Sequence, residues 1–276
     1  MEMSCMPYEM VDFEDEASVE DWLDYAGDML DGVDVLSIDS ETPWRLTNFY
    51  MQKVQQEGLR IAMMYPRHTL IEDMRNPGEE ANRRTASRIR HDMELAKALN
   101  ICRLRYCVNP GYPYFAGVDF DINYDRLVEE TISVLQDVLP LAEEKNIKLL
   151  IENHPGEISA RKAFFDVLFA QIQSPCLGIN FDLVNTLFYR DQRPEDFMKD
   201  PAIFERVYGL HVDNLGSVGG YAGKFSIDNG RLDVPALLRE IRDAGYDGWL
   251  TFEYSGHERE DISKSVELIR KVWGEQ

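Results

Sequence analysis

The chain has 276 residues, a hydrophobic content of 44% and a formal net charge of −21, with a pI near 4.6. This charge repels phosphate backbones and anionic lipids, so it argues against nucleic acid and membrane surfaces as partners. Four cysteines without a CxxC pair indicate neither a zinc knuckle nor a disulfide framework, and they predict reduced thiols in a cytoplasmic protein. The sequence has no basic amino-terminal region and no apolar run of ~18 residues, so neither export nor membrane insertion is expected.

The first half of the chain alternates short apolar runs with helical patterns. Ser18 is expected to cap the first helix, and Gly58 suits the left-handed position past the end of the second. His68 lies just past a strand, where barrel loops face a substrate, and the alternative is a solvated loop histidine. The first predicted strand lies within residues 2–10, and the next three are 33–38, 59–64 and 101–108. The predicted helices begin near residues 18, 44, 81 and 125.

The second half repeats this alternation. Pro140 predicts a kink or break in the helix at 125–146, and a further helix at 196–206 is expected to be interrupted near Pro201. The glycine-rich segment 216–223 is interpreted as a movable lid. Asp233 and Gly245 bound the next helix. The predicted strands are 147–152, 177–182, 207–211 and 248–253, and the other predicted helices are 159–172 and 261–273.

Eight strand and helix alternations therefore fit into one chain. The average spacing is roughly 34 residues, which suits parallel strands joined by crossover helices. Closure of eight such units gives a (β/α)8 TIM barrel, and no break in composition suggests a second domain. We therefore expect residues 1–276 to form a single α/β TIM-barrel domain.

The last four strands end on residues that can bind a metal or move a proton: Glu152, Asp182, His211 and Glu253. Any one of these acids could instead be a helix cap or a salt-bridge partner. Four consecutive strands with such ends are harder to attribute to chance, because parallel strands of a barrel end at one rim, where active sites lie. Three carboxylates and one imidazole suit a divalent cation of Mn, Co, Mg or Zn type.

Two further polar residues follow the same strands. Glu152 and His154 share one strand face, as do His211 and Asp213, provided that each strand stays extended that far. His154 and Asp213 could therefore orient a metal ligand or contact the substrate. For His154 the alternative is a loop residue whose conformation is set by the following Pro155.

The motifs around these residues carry a specific resemblance. They are Ile-Glu152-Asn-His154-Pro-Gly, Asn-Phe-Asp182-Leu-Val-Asn185-Thr, Leu-His211-Val-Asp213 and Phe-Glu253. They resemble the metal-site motifs of the sugar-phosphate isomerase/epimerase superfamily of xylose-isomerase-like barrels, in particular its D-tagatose 3-epimerase branch. The resemblance implies one metal ion, commonly Mn²⁺, on Glu152, Asp182, His211 and Glu253. It also implies that the two glutamates exchange a substrate proton.

Two positions depart from the ketose 3-epimerase pattern. Asn185 stands where those enzymes have a substrate-contacting histidine, and Ser217 stands where they have an arginine. Asn185 remains a candidate substrate-binding residue, together with His154, Asp213 and His68. The substrate class is a small-molecule carbohydrate, and a free ketose, an inosose, a 3-keto sugar and a glycoside derivative all stay open.

The leading hypothesis is a metal-dependent sugar isomerase or epimerase that works through an enediolate, with Glu152 and Glu253 as acid and base. The alternative is a lyase of the same superfamily, similar to inosose or dehydroshikimate dehydratases. A multi-zinc DNA endonuclease is disfavoured by the five histidines and the net charge of −21. A non-catalytic sugar-binding barrel is disfavoured because all four ligand residues are present. Homo-oligomer formation stays open.

Overall fold

The computed structural model describes residues 1–7, 11–36, 44–71, 78–109, 120–188, 191–218, 221–254 and 259–274. The strands are β1 (Glu2–Cys5), β2 (Gly32–Leu36), β3 (Arg60–Tyr65), β4 (Arg103–Tyr106), β5 (Lys148–Glu152), β6 (Leu177–Asp182), β7 (Val207–His211), β8 (Asn214–Val218), β9 (Tyr221–Phe225) and β10 (Trp249–Phe252). The helices are α1 (Glu16–Met29), α2 (Trp44–Gln56), α3 (Glu79–Ala98), α4 (Phe120–Lys145), α5 (Lys162–Gln171), α6 (Pro194–Met198), α7 (Pro201–Phe204), α8 (Val234–Asp243) and α9 (Arg259–Trp273).

Eight parallel strands form a nearly closed barrel with helices, which confirms the predicted fold class. Their order in the sheet is β1, β10, β7, β6, β5, β4, β3 and β2. The chain divides into two compact units: the first contains Met1–Ala62 and Gly209–Gln276, and the second contains Met63–Tyr208. The assignment of all 276 residues to a single domain stays a prediction.

In the first unit, β10 lies between β1 and β7. Glu2 is opposite Trp249, and Thr251 is opposite His211. β1 also lies beside β2, because the Met3 N–H donates to the Asp31 carboxylate at 2.9 Å and the Asp31 N–H donates to the Met3 carbonyl at 3.0 Å. This arrangement fixes the end of β10, and with it Glu253, next to the end of β7.

The first helix begins one turn earlier than its expected cap. Asp15 is the N-cap and accepts from the Ala17 N–H at 3.1 Å, whereas Ser18 lies inside the first turn. The Ser18 hydroxyl instead accepts from the Asp12 N–H at 2.9 Å. The prediction that Ser18 caps this helix is therefore wrong. An aspartate in extended conformation just before the helix satisfies the free N–H groups equally well.

The glycine-rich segment 216–223 belongs to a hairpin and not to an irregular loop. β8 and β9 pair in antiparallel fashion from Asn214 opposite Phe225 to Val218 opposite Tyr221. The buried Asn214 amide anchors the hairpin, since it donates to the carbonyls of Ile227 at 3.0 Å and Leu232 at 2.8 Å. Positions 219 and 220 lie outside the described residues. The interpretation of this segment as a lid stays a prediction.

The second unit contains the run β3, β4, β5 and β6, which pair in parallel with their neighbours. In this register Tyr106 is opposite Ile151, and Glu152 is opposite Asn180. The strand ends that carry Glu152 and Asp182 are therefore adjacent.

Helix α4 continues through Pro140, so a break at this proline is excluded, and the alternative of a kink stays a prediction. A proline inside a helix costs about 3 kcal/mol because one hydrogen bond is lost. Buried side chains on both sides of it, including Leu135, Val138, Leu139 and Ala142, hold the helix against the barrel. Each large apolar side chain contributes about 1.5–3 kcal/mol on burial, which offsets the cost of the proline. The expected interruption at Pro201 is confirmed, because α6 and α7 are separate short helices.

The other signals for helix ends are confirmed, but the predicted start of one helix is wrong. Asp233 caps α8 and accepts from the Ala236 N–H at 3.0 Å, and Gly58 and Gly245 have positive φ angles of 70° and 88° past the ends of α2 and α8. Helix α5 begins at Lys162 and not at Ser159, because residues Ile158–Ala160 form a short 3-10 turn. Among the described residues, no helix is long and apolar enough to cross a lipid bilayer.

Candidate metal centre

Glu152 is the last residue of β5, and its side chain is fully buried. The Asn185 side-chain amide donates to Glu152 Oε1 at 3.0 Å, and the Arg105 guanidinium forms an ion pair with Glu152 Oε2. Arg105 comes from β4, and its guanidinium lies 5.3 Å from the centre of the Tyr65 ring. A buried carboxylate is costly unless it is paired, so this cation keeps Glu152 compatible with an ionised state inside the protein.

Asp182 ends the neighbouring strand β6 and is also fully buried. The Asn185 N–H donates to Asp182 Oδ1 at 2.9 Å. The side chain of Asn153 makes two bonds to the Asp182 backbone, since it donates to the carbonyl at 2.9 Å and accepts from the N–H at 2.7 Å. Asn153 and Asn185 thus link the ends of β5 and β6, and the two bonds from Asn185 fix the direction of both carboxylates.

In the first unit, His211 is the last residue of β7, and Glu253 directly follows the paired strand β10. His211 Nδ1 lies 2.8 Å from Glu253 Oε2, and the Lys224 ammonium donates to the same oxygen at 2.7 Å. Lys224 also lies 3.0 Å from Asp213 Oδ2. His211 and Asp213 are fully buried, and Lys224 reaches them from the β8–β9 hairpin.

The charges around Glu253 decide its protonation. Burial acts to raise the pKa of this carboxyl, but the positive charge of Lys224, together with His211, outweighs that effect and holds the pKa well below its usual range. Glu253 is therefore ionised at neutral pH, which is the state of a carboxylate that can bind a cation.

Glu152, Asp182, His211 and Glu253 form a cluster that could hold a metal ion. Each offers one ligand atom, and these atoms all lie within 4.8 Å of one another. All four side chains are buried. Oxygen and imidazole ligands without sulfur fit Mn²⁺, Co²⁺, Mg²⁺ or Zn²⁺, and they are a poor match for a soft cation.

The comparisons with known proteins agree with this architecture. Residues 50–272 match the family model described as Xylose isomerase-like TIM barrel. The chain belongs to this family. Its members, as a superfamily, are barrels related to sugar isomerases and epimerases. Among curated proteins, the sequence finds no match.

Several solved structures resemble this xylose isomerase-like barrel over its whole length. A D-tagatose 3-epimerase-like protein has a TM-score of 0.77 at 17% identity, with 99% of this chain and 97% of that chain covered. The probable 3-DHS dehydratase AsbF from Bacillus anthracis has a TM-score of 0.72 at 16% identity, with 98% of each chain covered. D-allulose 3-epimerase from Methylomonas sp., in complex with D-allulose, has a TM-score of 0.74 at 15% identity, with 98% of this chain and 96% of that chain covered. At such identities the likeness shows the fold alone.

Four residues were predicted to bind substrate, and their contacts differ. Asn185 contacts both Glu152 and Asp182, and Asp213 contacts Lys224. His154 lies outside the four-residue cluster, with its Nδ1 at 2.9 Å from Glu157 Oε1. His68 Nε2 lies 3.1 Å from Asp92 Oδ2, which also accepts from the Tyr106 hydroxyl at 2.8 Å. The substrate-binding roles of these four residues stay predictions.

The sequence reasoning missed three residues of the site: Arg105, Lys224 and Asn153. Arg105 has a local signal, because it is a charged residue within the apolar run 101–108 of a strand. Asn153 also has one, because it directly follows the glutamate at the end of β5. Lys224 lies directly after the glycine-rich segment, and nothing in its local sequence indicates that it contacts Asp213 and Glu253.

Proposed function

We propose that this xylose isomerase-like barrel is a divalent-metal-dependent isomerase or epimerase of a ketose or keto-cyclitol. The observation that carries the proposal is the buried cluster of three carboxylates and one imidazole, in which both glutamates are paired with a cationic side chain. Burial of several charged side chains carries a desolvation penalty, so such a cluster is typical of a functional site and not of a purely structural one.

Glu152, Asp182, His211 and Glu253 would hold the metal ion, and Mn²⁺ is the cation that we expect. When bound, such an ion stabilises the negative charge of an enediolate as a Lewis acid. Asn185 would orient the carboxylates of Glu152 and Asp182 through its two hydrogen bonds, and Asn153 would hold the Asp182 backbone. Orienting contacts of this kind typically affect metal affinity by about 10–100-fold.

Glu152 and Glu253 are the proposed acid and base. Removal of a proton next to a carbonyl needs an ionised carboxylate near the carbon, and its return on the other face needs a second carboxyl. Glu253 is held ionised by Lys224 and His211, and Glu152 has Arg105 as its counterion. Which glutamate acts as the base depends on the configuration of the substrate. His68, His154, Asn185 and Asp213 are the proposed contacts to substrate hydroxyl groups.

A lyase is the second candidate. The same fold is found in the structure of a probable 3-DHS dehydratase with a TM-score of 0.72, and in that of a D-allulose 3-epimerase with a score of 0.74. Proton abstraction next to a carbonyl begins either reaction, and the two separate only when a β-substituent leaves. Asn185 and Ser217 stand where ketose 3-epimerases have other residues. The substrate could therefore be that of an epimerase or that of a lyase.

The test is an exchange experiment in D₂O. We expect that the Mn²⁺-loaded protein, incubated with ketoses, inososes and 3-keto glycosides, incorporates deuterium at the carbon next to the carbonyl of at least one substrate. NMR and mass spectrometry distinguish the two candidates, since an epimer keeps its carbon skeleton and oxygen atoms and an elimination product loses water or an aglycone. Absence of exchange with every substrate class would contradict the proposal. Glu152→Gln is the control, and it should lower the exchange rate by about 10²–10⁴-fold.

A further inference from the structure

A second cluster of ligand-type side chains lies wholly within the second unit. Cys107 follows β4, and His154 and Glu157 lie in the segment between β5 and the 3-10 turn. One ligand atom from each of the three residues lies within 4.8 Å of the other two. None of these residues belongs to the four-residue cluster.

Two buried atoms of this cluster lie in direct contact. His154 Nδ1 and Glu157 Oε1 are 2.9 Å apart, and neither has a hydrogen bond to a third group among the described residues. Buried polar atoms are nearly always satisfied, because an unmet group costs about 1–3 kcal/mol. Two lone-pair atoms at this distance need a positive charge beside them, which is either a proton on the imidazole or a bound cation.

The backbone around the cluster is fixed from both sides. Glu157 Oε2 accepts from the Val108 N–H at 2.7 Å, so only Oε1 is left for another partner. Asn109 Oδ1 accepts from the Ile158 N–H at 3.2 Å, and the Leu70 N–H donates to the Cys107 carbonyl at 3.0 Å. These bonds hold the two ligand-bearing segments in place before any ion arrives, which lowers the cost of binding.

We propose that Cys107, His154 and Glu157 form a second cation site, which binds Zn²⁺ or a similar borderline cation. A thiolate, an imidazole and a carboxylate are the ligand types that zinc takes in proteins, and three protein ligands leave its fourth tetrahedral position open. Cys107 and His154 are half-buried, so an ion can reach them from solvent. The presence of sulfur makes this site softer than the cluster of Glu152, Asp182, His211 and Glu253.

Sulfur also gives the experiment its readout. When Co²⁺ is titrated into the metal-free full-length protein, absorption from thiolate-to-cobalt charge transfer appears only where a cysteine binds the ion. We expect the wild type to bind two equivalents and to show this absorption. Cys107→Ser should bind one equivalent and lose the absorption, while the matched variant Cys102→Ser, at an exposed free cysteine of the same segment, should behave as the wild type.

Two further variants separate this site from the proposed catalytic one. His154→Ala, at a half-exposed position, should raise the Co²⁺ concentration for half-maximal charge-transfer absorption at least tenfold. Asp182→Asn should weaken Co²⁺ binding at the cluster of Glu152, Asp182, His211 and Glu253 and leave the charge-transfer absorption unchanged. The two sites can therefore fail independently of each other in this experiment. The proposal is overturned if the wild type shows no thiolate absorption, if the absorption persists in Cys107→Ser, or if His154→Ala leaves its half-saturation unchanged.

Discussion

The two proposed catalytic glutamates are held by cations of different kinds. Glu152 is paired with Arg105, a planar guanidinium from barrel strand β4 that lies over the Tyr65 ring. Glu253 is paired with Lys224, an ammonium on a flexible side chain from the β8–β9 hairpin. Arg105 therefore belongs to a strand of the barrel sheet, whereas Lys224 belongs to the separate two-stranded sheet of β8 and β9. We expect the environment of Glu152 to be fixed and that of Glu253 to be adjustable.

Removal of either carboxylate should have the largest effect. Glu152→Gln and Glu253→Gln each keep the shape of the side chain but lose both a metal ligand and a proton carrier. We expect the deuterium exchange rate to fall by about 10²–10⁴-fold in each variant, which is the usual contribution of general acid–base catalysis. If one variant retains the wild-type exchange rate, the role of that glutamate is wrong.

Arg105→Met should have the largest effect on stability. Arg105 is only 11% exposed and Glu152 is fully buried, so the variant leaves an uncompensated charge in the interior. Breaking a buried pair in this way costs about 3–5 kcal/mol. Urea unfolding of the metal-free protein measures this loss. Arg105→Lys is the matched control, and it should recover only part of the stability because an ammonium cannot reproduce the planar contact with Tyr65.

Lys224→Met should cost less, about 1.5–3 kcal/mol, because Glu253 keeps His211 as a partner. Without the positive charge of Lys224, the burial of Glu253 is opposed only by His211, and the pKa of Glu253 rises. A carboxylate with a depressed folded pKa stabilises the protein at neutral pH, and this stabilisation is lost as the pH falls through the folded pKa. The loss should therefore begin at a higher pH in Lys224→Met, as measured by urea unfolding between neutral and acidic pH. An unchanged pH profile would contradict the assigned cause.

The smallest effect is expected at Tyr65. Tyr65→Leu removes the ring that faces the Arg105 guanidinium, and a contact of this kind contributes about 0.5–2 kcal/mol. Tyr65→Phe keeps the ring and should lie closer to the wild type in urea unfolding. Equal losses in both variants would assign the effect to the hydroxyl group and weaken the contrast between Arg105 and Lys224.

Much of this organisation can be predicted from the sequence because its signals are local. The eight barrel strands and their alternation with helices follow from short apolar runs and their spacing. The polar residues at the ends of β5, β6 and β7 and directly after β10 follow from the same pattern. The errors at Ser18 and Pro140 arise where a local preference has a competitor, namely another cap at Asp15 and the packing of α4.

The sequence by itself determined the barrel, the family and the residues of the four-residue cluster, since each depends on patterns within one strand and its following loop. Only the tertiary structure decided which cation pairs with which glutamate, and that Cys107 lies beside His154 and Glu157. These pairs join residues from separate segments, and their geometry is set by strand register and side-chain packing. Hydrophobic periodicity records which face of a strand is buried, but it does not record which distant side chain that face meets.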